Sequence, residues 1–456
     1  MGLIFVVARD QESSQPAKTR ISLDRHVSDT LHSHVPQFDR ADDIGLSFFI
    51  RRTFVQLNDG FHPALWDHLR HVVVSSDGCM RTLAIAIGVR QLTIESTSTI
   101  NPPQNGQNVL EAYSRAITSV HSAIANSSID KENLLLACLL LVLLETLYSR
   151  PAAIRVHLQN ALRLIEDLEA GEIPTIPTYL RELFVRLALE STMRSPLDMM
   201  GAARAIPRAE DLPRKPSLEY LHSQVTRLFH ESFKFAGLVT VQSPLDQHGW
   251  EAEYDPLQAS IQQCRLDIAS YQSTFDARAE ARTQTLCNVL HAHCLVYDVF
   301  VDCVRSRYQT TYDRRKQSFL EAVSLLQTAL TAMSHEEDGQ ARPALFSMDL
   351  GIAMTLSLIT MLCRDPRLRR QSLQLMELCP TFEGEWTSDW ARRRSQAIID
   401  FEEHGLQVDG DGYPHFVPEE RRIHYIRHDA DYASLEVYWR PNGDSLQWSS
   451  KKVMLI

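Results

Sequence analysis

From Gly45 to about residue 405, apolar residues recur three and four positions apart, the spacing of helices with one buried face. Polar, proline-bearing connections interrupt the pattern at Thr93 to Asn108, Gly171 to Thr178, Arg204 to Ser217 and His335 to Pro343. The first clear stripe places Val109, Tyr113, Ala116, Val120 and Ile124 on one face, with Leu110 and Ile117 beside them. Asp130 then reads as an N-cap, and the run Leu134 to Leu144 behind it is apolar on every side, which predicts a buried central helix. A third helix follows Ser149-Arg150-Pro151, a capping residue with proline in the first turn. It carries Ile154, Leu158, Ala161, Ile165 and Leu168, stops at Gly171, and is predicted to form an antiparallel hairpin with the helix before it. The same design returns at Leu218, Leu221, Val225 and Leu228, at Phe319, Val323, Leu326 and Leu330, and at Ile398 and Phe401. No fixed repeat period emerges, so the pattern predicts one large bundle or superhelix.

After Gly405 the period changes. Asp409-Gly410-Asp411-Gly412 and Pro414 mark turns, and Ile423 and Tyr425, then Ala433, Leu435, Val437 and Trp439, alternate as strand residues do. Pro441-Asn442-Gly443-Asp444 reads as a hairpin turn leading to Leu446 and Trp448, which predicts a small β meander. Residues 9–43 are polar, carry His26, His32 and His34, and show no period; Gly2 to Ala8 is the one other strand candidate. The predicted organisation is a mostly disordered arm over 1–43, a helical domain over 44–405 and a β tail over 406–456 packed on it, an all-α chain with a small C-terminal β part.

Charge narrows the function. Lys and Arg number 46 against 57 Asp and Glu, a net charge of −11, so the chain as a whole repels phosphate backbones and direct nucleic-acid binding is not expected. With 44% hydrophobic residues it can build a sizeable core. The longest uninterrupted apolar run, Leu134 to Leu144, falls short of the roughly 18 residues of a membrane span, and no membrane partner is expected. Gly2 to Ala8 has no basic flank, and Val6 stands where a myristoylation signal wants Ser or Thr. The eight cysteines are scattered with no Cys-x-x-Cys, which suits a reducing compartment and excludes a cysteine-rich zinc module in this sequence.

Candidate chemistry is sparse. Cys287, His291, Cys294, Asp298 and Asp302 fall on one helical stripe, resembling a row of metal ligands. Ligands along one straight helix cannot surround an ion, so the stripe is read as a polar seam between helices. If a small-molecule effector has a site, that seam (Cys287, His291, Cys294, Asp298) is where helical proteins place one, with His291 as polar contact. His157, beside the apolar stripe of the third helix, is read as a structural histidine. Arg364, Arg367, Arg369 and Arg370, with Arg392-Arg393-Arg394, could form a phosphate-binding or nuclear-import patch; no aromatics interleave them, and internal ion pairs are the simpler reading. Searches for Gly-x-Ser-x-Gly, His-Glu-x-x-His, a phosphate loop and Gly-x-Gly-x-x-Gly all fail, so no catalytic signature, cofactor or metal is assigned.

Three groups of segments, in order, carry a resemblance. The first is Phe48-Phe49-Ile50-Arg51-Arg52-Thr53 with Leu57, Phe61 and Trp66, then Ala84 to Gly88. The second is Leu134 to Leu140 with Glu145 and His157-Leu158. The third is Cys363-Arg364-Asp365-Pro366-Arg367-Leu368-Arg369-Arg370, then Glu383-Gly384-Glu385-Trp386 and Glu402-Glu403. Across residues 45–430 this order resembles the regulatory domain of fungal zinc-cluster transcription factors. The six-cysteine binuclear zinc module that reads DNA in that family is absent from this sequence. The resemblance implies an all-α effector domain in the nucleus, acting on transcription of a metabolic or secondary-metabolite gene set through a protein partner or a second copy, or with a zinc module encoded upstream of Met1. It also implies structural roles for Phe49, Arg52, Trp66, Glu145, His157, Arg364, Asp365, Pro366, Arg369 and Trp386. The alternative is an enzyme or small-molecule-binding protein that reuses this scaffold in a fungal biosynthetic pathway.

Overall fold

A computed structural model describes residues 40–58, 60–75, 78–97, 106–169, 178–192, 217–241, 250–275, 280–333, 335–337, 340–342, 344–348, 351–384, 386–408, 410, 412–429, 433–442 and 447–455. The arm predicted over 1–43 lies outside these residues up to position 39, as do the strand candidate Gly2 to Ala8 and most of the connections at 171–178 and 204–217. In chain order the elements are α1 (Arg40–Phe48), a π-helical turn (Phe49–Thr53), α2 (Phe54–Asn58), α3 (Pro63–Ser75), α4 (Cys79–Thr97), α5 (Gly106–Ala125), α6 (Lys131–Leu147), α7 (Pro151–Glu169) and α8 (Thr178–Thr192). There follow α9 (Leu218–Val241), α10 (Glu251–Gln272), α11 (Ala281–Cys303), a 3-10 turn (Gln309–Arg315), α12 (Lys316–Met333), β1 (His335–Glu337), β2 (Gln340–Arg342) and β3 (Phe346–Ser347). Last come α13 (Ile352–Leu362), α14 (Pro366–Met376), β4 (Phe382–Glu383), β5 (Trp386–Thr387), α15 (Ser388–Glu403), β6 (Ile423–His428), β7 (Ser434–Trp439) and β8 (Ser449–Met454). The fold is all-α with a small three-stranded sheet at its C-terminal end, as the periodicity predicts. Two compact units divide the chain, one of Met1–Thr53 and Arg70–Asn160, the other of Phe54–Leu69 and Ala161–Ile456.

In the first unit α4 is the hub, with α1, α5 and α6 packed on it. α6 packs on α4 and not along α7 as the predicted hairpin would have it, and α4 meets α1 at a place where two backbones touch. A Cβ at Gly88 of α4 would collide with the carbonyl oxygen of Gly45 in α1, and one at Gly45 would come 2.9 Å from the carbonyl oxygen of Ile85. Asp130 caps α6 by accepting the Asn133 N–H at 2.8 Å, and every residue from Leu134 to Leu147 is buried. On α5 Val109, Ala116 and Val120 are buried, while Leu110 faces solvent.

Ser149 corrects the capping reading. Its φ of 53° is left-handed, its N–H bonds the Thr146 carbonyl at 2.9 Å, and the Arg150 N–H bonds the Glu145 carbonyl at 3.1 Å, so Ser149 closes α6 in a Schellman turn instead of opening α7. Ser127, at φ 51°, ends α5 in the same way. Both are serines where glycine bears less strain.

The second unit is built around α11, which α9, α10, α12 and α13 surround. It has the length and hydropathy of a membrane span, which counting uninterrupted apolar runs had missed; 89% of its most apolar window is buried inside the protein. The stripe Phe319, Val323, Leu326 and Leu330 of α12 packs into the same core. Next to it α13, α14 and α15 pack together, and the C-terminal sheet rests on α15 through Trp390 on His428 and Phe401 on Trp439, ring centroids 5.0 Å apart in each case.

That sheet is an antiparallel meander in the order β6-β7-β8. Leu435 and Val437 point inward as alternation predicts, but Tyr425 does not follow Ile423, because a register shift between them turns Ile426 to the core and Tyr425 outward. Ser449 begins the last strand, one residue after Trp448, and Gly443 to Leu446 lie outside the described residues. Short strands also occur before the tail, where β1 pairs β2, and β3 runs parallel to β4, itself antiparallel to β5.

Two substitutions test these readings with opposite signs. Gly88→Ala must push α1 off α4 and is expected to cost about 2 kcal/mol or more. Ser149→Gly relieves the left-handed strain and is expected to add up to about 1 kcal/mol. Urea unfolding of the two variants beside the parent chain gives both values, and a neutral Gly88→Ala would refute the close crossing.

Candidate functional site

The predicted seam on α11 is a packed interface with α10. Cys294 Sγ lies 3.9 Å from Cys264 Sγ, and Cys287 is buried with its thiol pushed up to about 12 by desolvation, so neither is a reactive thiolate. Asp298 accepts from Gln262 at 3.2 Å, and Arg315 reaches both Asp298 and Asp302 at 2.5 Å. Against the burial that opposes ionisation, Arg305 and Arg315 hold the Asp302 carboxyl below its ordinary value. His291 is half-buried; burial, then the Arg265 charge, lower its pKa. The structure therefore joins Asp298 to Asp302 through one arginine and leaves Cys287 and His291 about two to three turns away, with none of those partners. Among the described residues, no group of three His, Cys, Asp or Glu side chains is placed to hold a metal ion.

Most of the residues implied by the family resemblance have packing or pairing roles. Phe49, Trp66 and Trp386 are buried, the last edge-on to Trp390 at 4.9 Å. Arg52 contacts Glu95 at 3.3 Å. Glu145 accepts from Tyr113 at 2.7 Å, while Arg150 lies over the Tyr113 and Tyr148 rings at 5.2 and 5.0 Å. Burial lowers His157 to about 4. Asp365 caps α14 through the Arg367 and Leu368 N–H groups, with Pro366 in its first turn.

The arginine-rich C-terminal run is mostly internal. Glu402, fully buried at the end of α15, holds Arg364 at 2.9 Å through Oε1 and Arg369 through Oε2. Arg369 also donates to the Thr360 and Cys363 carbonyls at 2.9 and 3.0 Å, and Arg370 makes a two-pronged pair with Glu403 at 2.8 and 2.5 Å. Though burial works against it, the two arginines hold the Glu402 carboxyl below its usual range. Arg392 and Arg393 contact Asp389 on their own helix. Such a set is an ion-pair lock.

A second buried polar group, which the sequence reading missed, lies in the larger unit. His62 Nε2 and His222 Nδ1 share a hydrogen bond at 3.1 Å, and Phe61 stacks on the His222 ring at 4.3 Å. Arg186 donates to Glu190 at 2.9 Å along α8. His293 and Thr355 are joined at 2.7 Å, and His293 stacks on Tyr297 at 5.9 Å. Glu383, from β4, accepts the Ala353 N–H at 2.8 Å and so caps α13. A Cβ at Gly384 would collide with Glu190 Oε2, so that glycine, at φ 56°, lets the strand approach α8.

All these side chains are buried, and they feel one another. Desolvation, then Arg186, lowers His62 to about 4; desolvation, His62, Arg186 and His293 push His222 well down. Desolvation raises Glu383 to about 8, with the Glu190 charge adding to it. The centre at neutral pH thus holds neutral His62 and His222, a protonated Glu383 and one Arg186–Glu190 pair. Three of its atoms, Tyr297 Oη, His222 Nε2 and Arg186 Nη2, are buried without a hydrogen-bond partner. Buried polar atoms are nearly always satisfied, by protein or by ordered water, so these three atoms are unspent hydrogen-bonding capacity in the core. The sequence signals were present but weak: His222 beside Leu221 on an apolar face, His293 and Tyr297 one turn apart, and Glu383 before Gly384.

Compared with models of known families, with curated proteins and with solved structures, the chain matches none.

Glu402→Ala leaves two buried guanidinium groups without their counter-charge and is expected to cost about 3–5 kcal/mol in urea unfolding. The pH dependence has a defined sign. His62, His157 and His230, each lowered from 6.5 to about 4, contribute stability that is full above 6.5 and lost as pH falls towards 4. Glu383, raised from 4.5 to about 8, contributes stability that is full below 4.5 and lost as pH rises to 8. Three histidines against one carboxyl make acid loss dominant, and Glu383→Gln is expected to compare better with the parent at pH 8 than at pH 5. Urea midpoints across that range check both.

Proposed function

We propose that this chain is a non-catalytic, transcription-regulator-like protein, similar to the effector half of fungal zinc-cluster transcription factors, that holds a small polar molecule in its buried polar centre. The observation that carries this reading is the set of three orphaned polar atoms, Tyr297 Oη, His222 Nε2 and Arg186 Nη2, in one centre. The all-α scaffold and the segments at 48–66, 134–158 and 363–403 support the family side of the proposal. In this reading a guest completes the hydrogen bonds of α8, α9 and α11, and the occupied state is passed to a protein partner or a second copy in the nucleus, where a metabolic gene set is controlled. The chain itself makes no specific contact with DNA, in keeping with its net charge of −11.

A second reading, an enzyme on the same scaffold, is favoured by Glu383, a carboxyl that burial keeps protonated at neutral pH, which is the raw material of acid–base catalysis.

A thermal screen of the purified chain against small polar metabolites separates the outcomes. A guest at 100 times its dissociation constant is expected to stabilise by about 2.7 kcal/mol. Tyr297→Phe should weaken that response, no turnover of the guest should be seen, and fusion to a heterologous DNA-binding module should make reporter transcription respond to it. Turnover abolished by Glu383→Gln would favour the enzyme. A sequence-selective gel shift by the chain alone would overturn the claim about DNA.

A further inference from the structure

Arg394 is the exception among the buried arginines of the larger unit. Arg186 has Glu190, Arg364 and Arg369 have Glu402, and Arg422 has Asp313 at 2.8 and 2.7 Å. Arg394, on α15 and only 7% exposed, has no carboxylate in ion-pair contact among the described residues. Its Nη1 donates to Ser357 Oγ of α13 at 2.6 Å, and that hydroxyl shares a hydrogen bond with Ser395 Oγ at 3.0 Å. Its Nη2 meets only the Met361 sulfur at 3.7 Å, a weak acceptor, and its Nε is buried with no partner at all. Burial lowers the guanidinium to about 10, which leaves it charged at neutral pH.

The two unused groups are not a random pair. Nε–H and Nη2–H are the parallel donors along one edge of the planar fork, the edge that meets both oxygens of a carboxylate. A guanidinium buried with that edge open lacks a counter-charge that every neighbouring buried arginine possesses. We propose that Arg394, with Ser357 and Ser395 bracing it from the other side, forms a binding site for a small carboxylate between α13 and α15. This site is separate from the polar centre of the proposed function and rests on different residues. The carboxylate sits in-plane on Nε and Nη2, with Met361 against it, while Nη1 stays on Ser357. Enclosure of Nε favours the carboxylate of a free small molecule over one carried on a folded partner.

The test is thermal melting of the full chain in chloride buffer and with sodium acetate added at constant ionic strength, phosphate serving as a second oxyanion. Expected is a saturable rise in Tm with acetate that chloride does not give and phosphate gives only weakly. Arg394→Met should abolish the rise and, in chloride alone, melt at or above the parent, since it removes an uncompensated buried charge. Arg394→Lys, which keeps the charge but not the parallel donors, should need about tenfold more acetate. A parent chain that ignores acetate, an Arg394→Met variant that responds as the parent does, or one that fails to fold in chloride would overturn the site. Equal responses to phosphate and acetate, or an unchanged response in Arg394→Lys, would overturn the carboxylate assignment. Tyr297→Phe should leave the acetate response intact, so loss of this site and loss of the polar-centre reading are told apart.

Discussion

A single carboxylate, Glu402, ties the C-terminal half of the chain together. Its two oxygens take Arg364 from the turn after α13 and Arg369 from α14, while Oε1 also accepts the Ile423 N–H at 2.7 Å, the first residue of β6. Arg364 returns the bond to the Ile423 carbonyl at 2.9 Å and reaches Gln309 in the 3-10 turn at 3.3 Å. Three helix ends and the start of the meander are thus fixed at one buried point. A buried ion pair is a weak source of net stability, because desolvation offsets most of the Coulomb gain. Its effect is on geometry: any other placement of α14, α15 or β6 strands a charge, so the alternatives are penalised more than the native arrangement is rewarded.

The same rule runs through the rest of that unit. Arg422 is held by Asp313 and by the Val417 carbonyl at 2.8 Å, and Glu419 accepts the Gln309 and Thr310 N–H groups at 2.7 and 2.8 Å. Although burial opposes it, the His424 ring, its Nε2 3.4 Å from the carboxyl, and those amides bring Glu419 to about 2. Where charge is fully answered the structure is a scaffold. Where it is not, in the polar centre around His222 and at Arg394, buried donors and acceptors stay unmatched, and the two proposed sites rest on them. In the first the unmet groups are mostly neutral, which is why the proposed guest is polar; in the second the unmet group is a cation, which is why the proposed guest is an anion.

Much of the helical pattern was legible because burial on one face imposes a period of 3.6 whatever the neighbours are. Asp130 was legible as a cap for a similar reason, its partner being three residues away. Ser149 was not, since the same residue serves the end of one helix or the start of the next, and only its left-handed φ decides. Tyr425 was assigned to the wrong face because a bulge adds one residue to the strand without any mark in the alternation. α11, the hub of the larger unit, looked like a striped helix, because its cysteines, His293 and Asp298 interrupt the apolar run while being buried all the same.

By itself, then, the sequence determined what local periodicity and short-range capping can determine: an all-α chain with helices at stated places, a C-terminal meander, and an acidic surface without a zinc module or catalytic signature. It also held the arginine and glutamate residues of the lock, yet their pairing spans 33 and 38 positions and no spacing rule connects them. Tertiary structure alone decided that α4 and α11 are the hubs, that Asp298 belongs to Arg315 and not to His291, and that His62 meets His222 across 160 residues. The reason is that a charge or hydrogen bond acquires its meaning from its partner and its distance from water, and both are set only when segments remote in the chain come together.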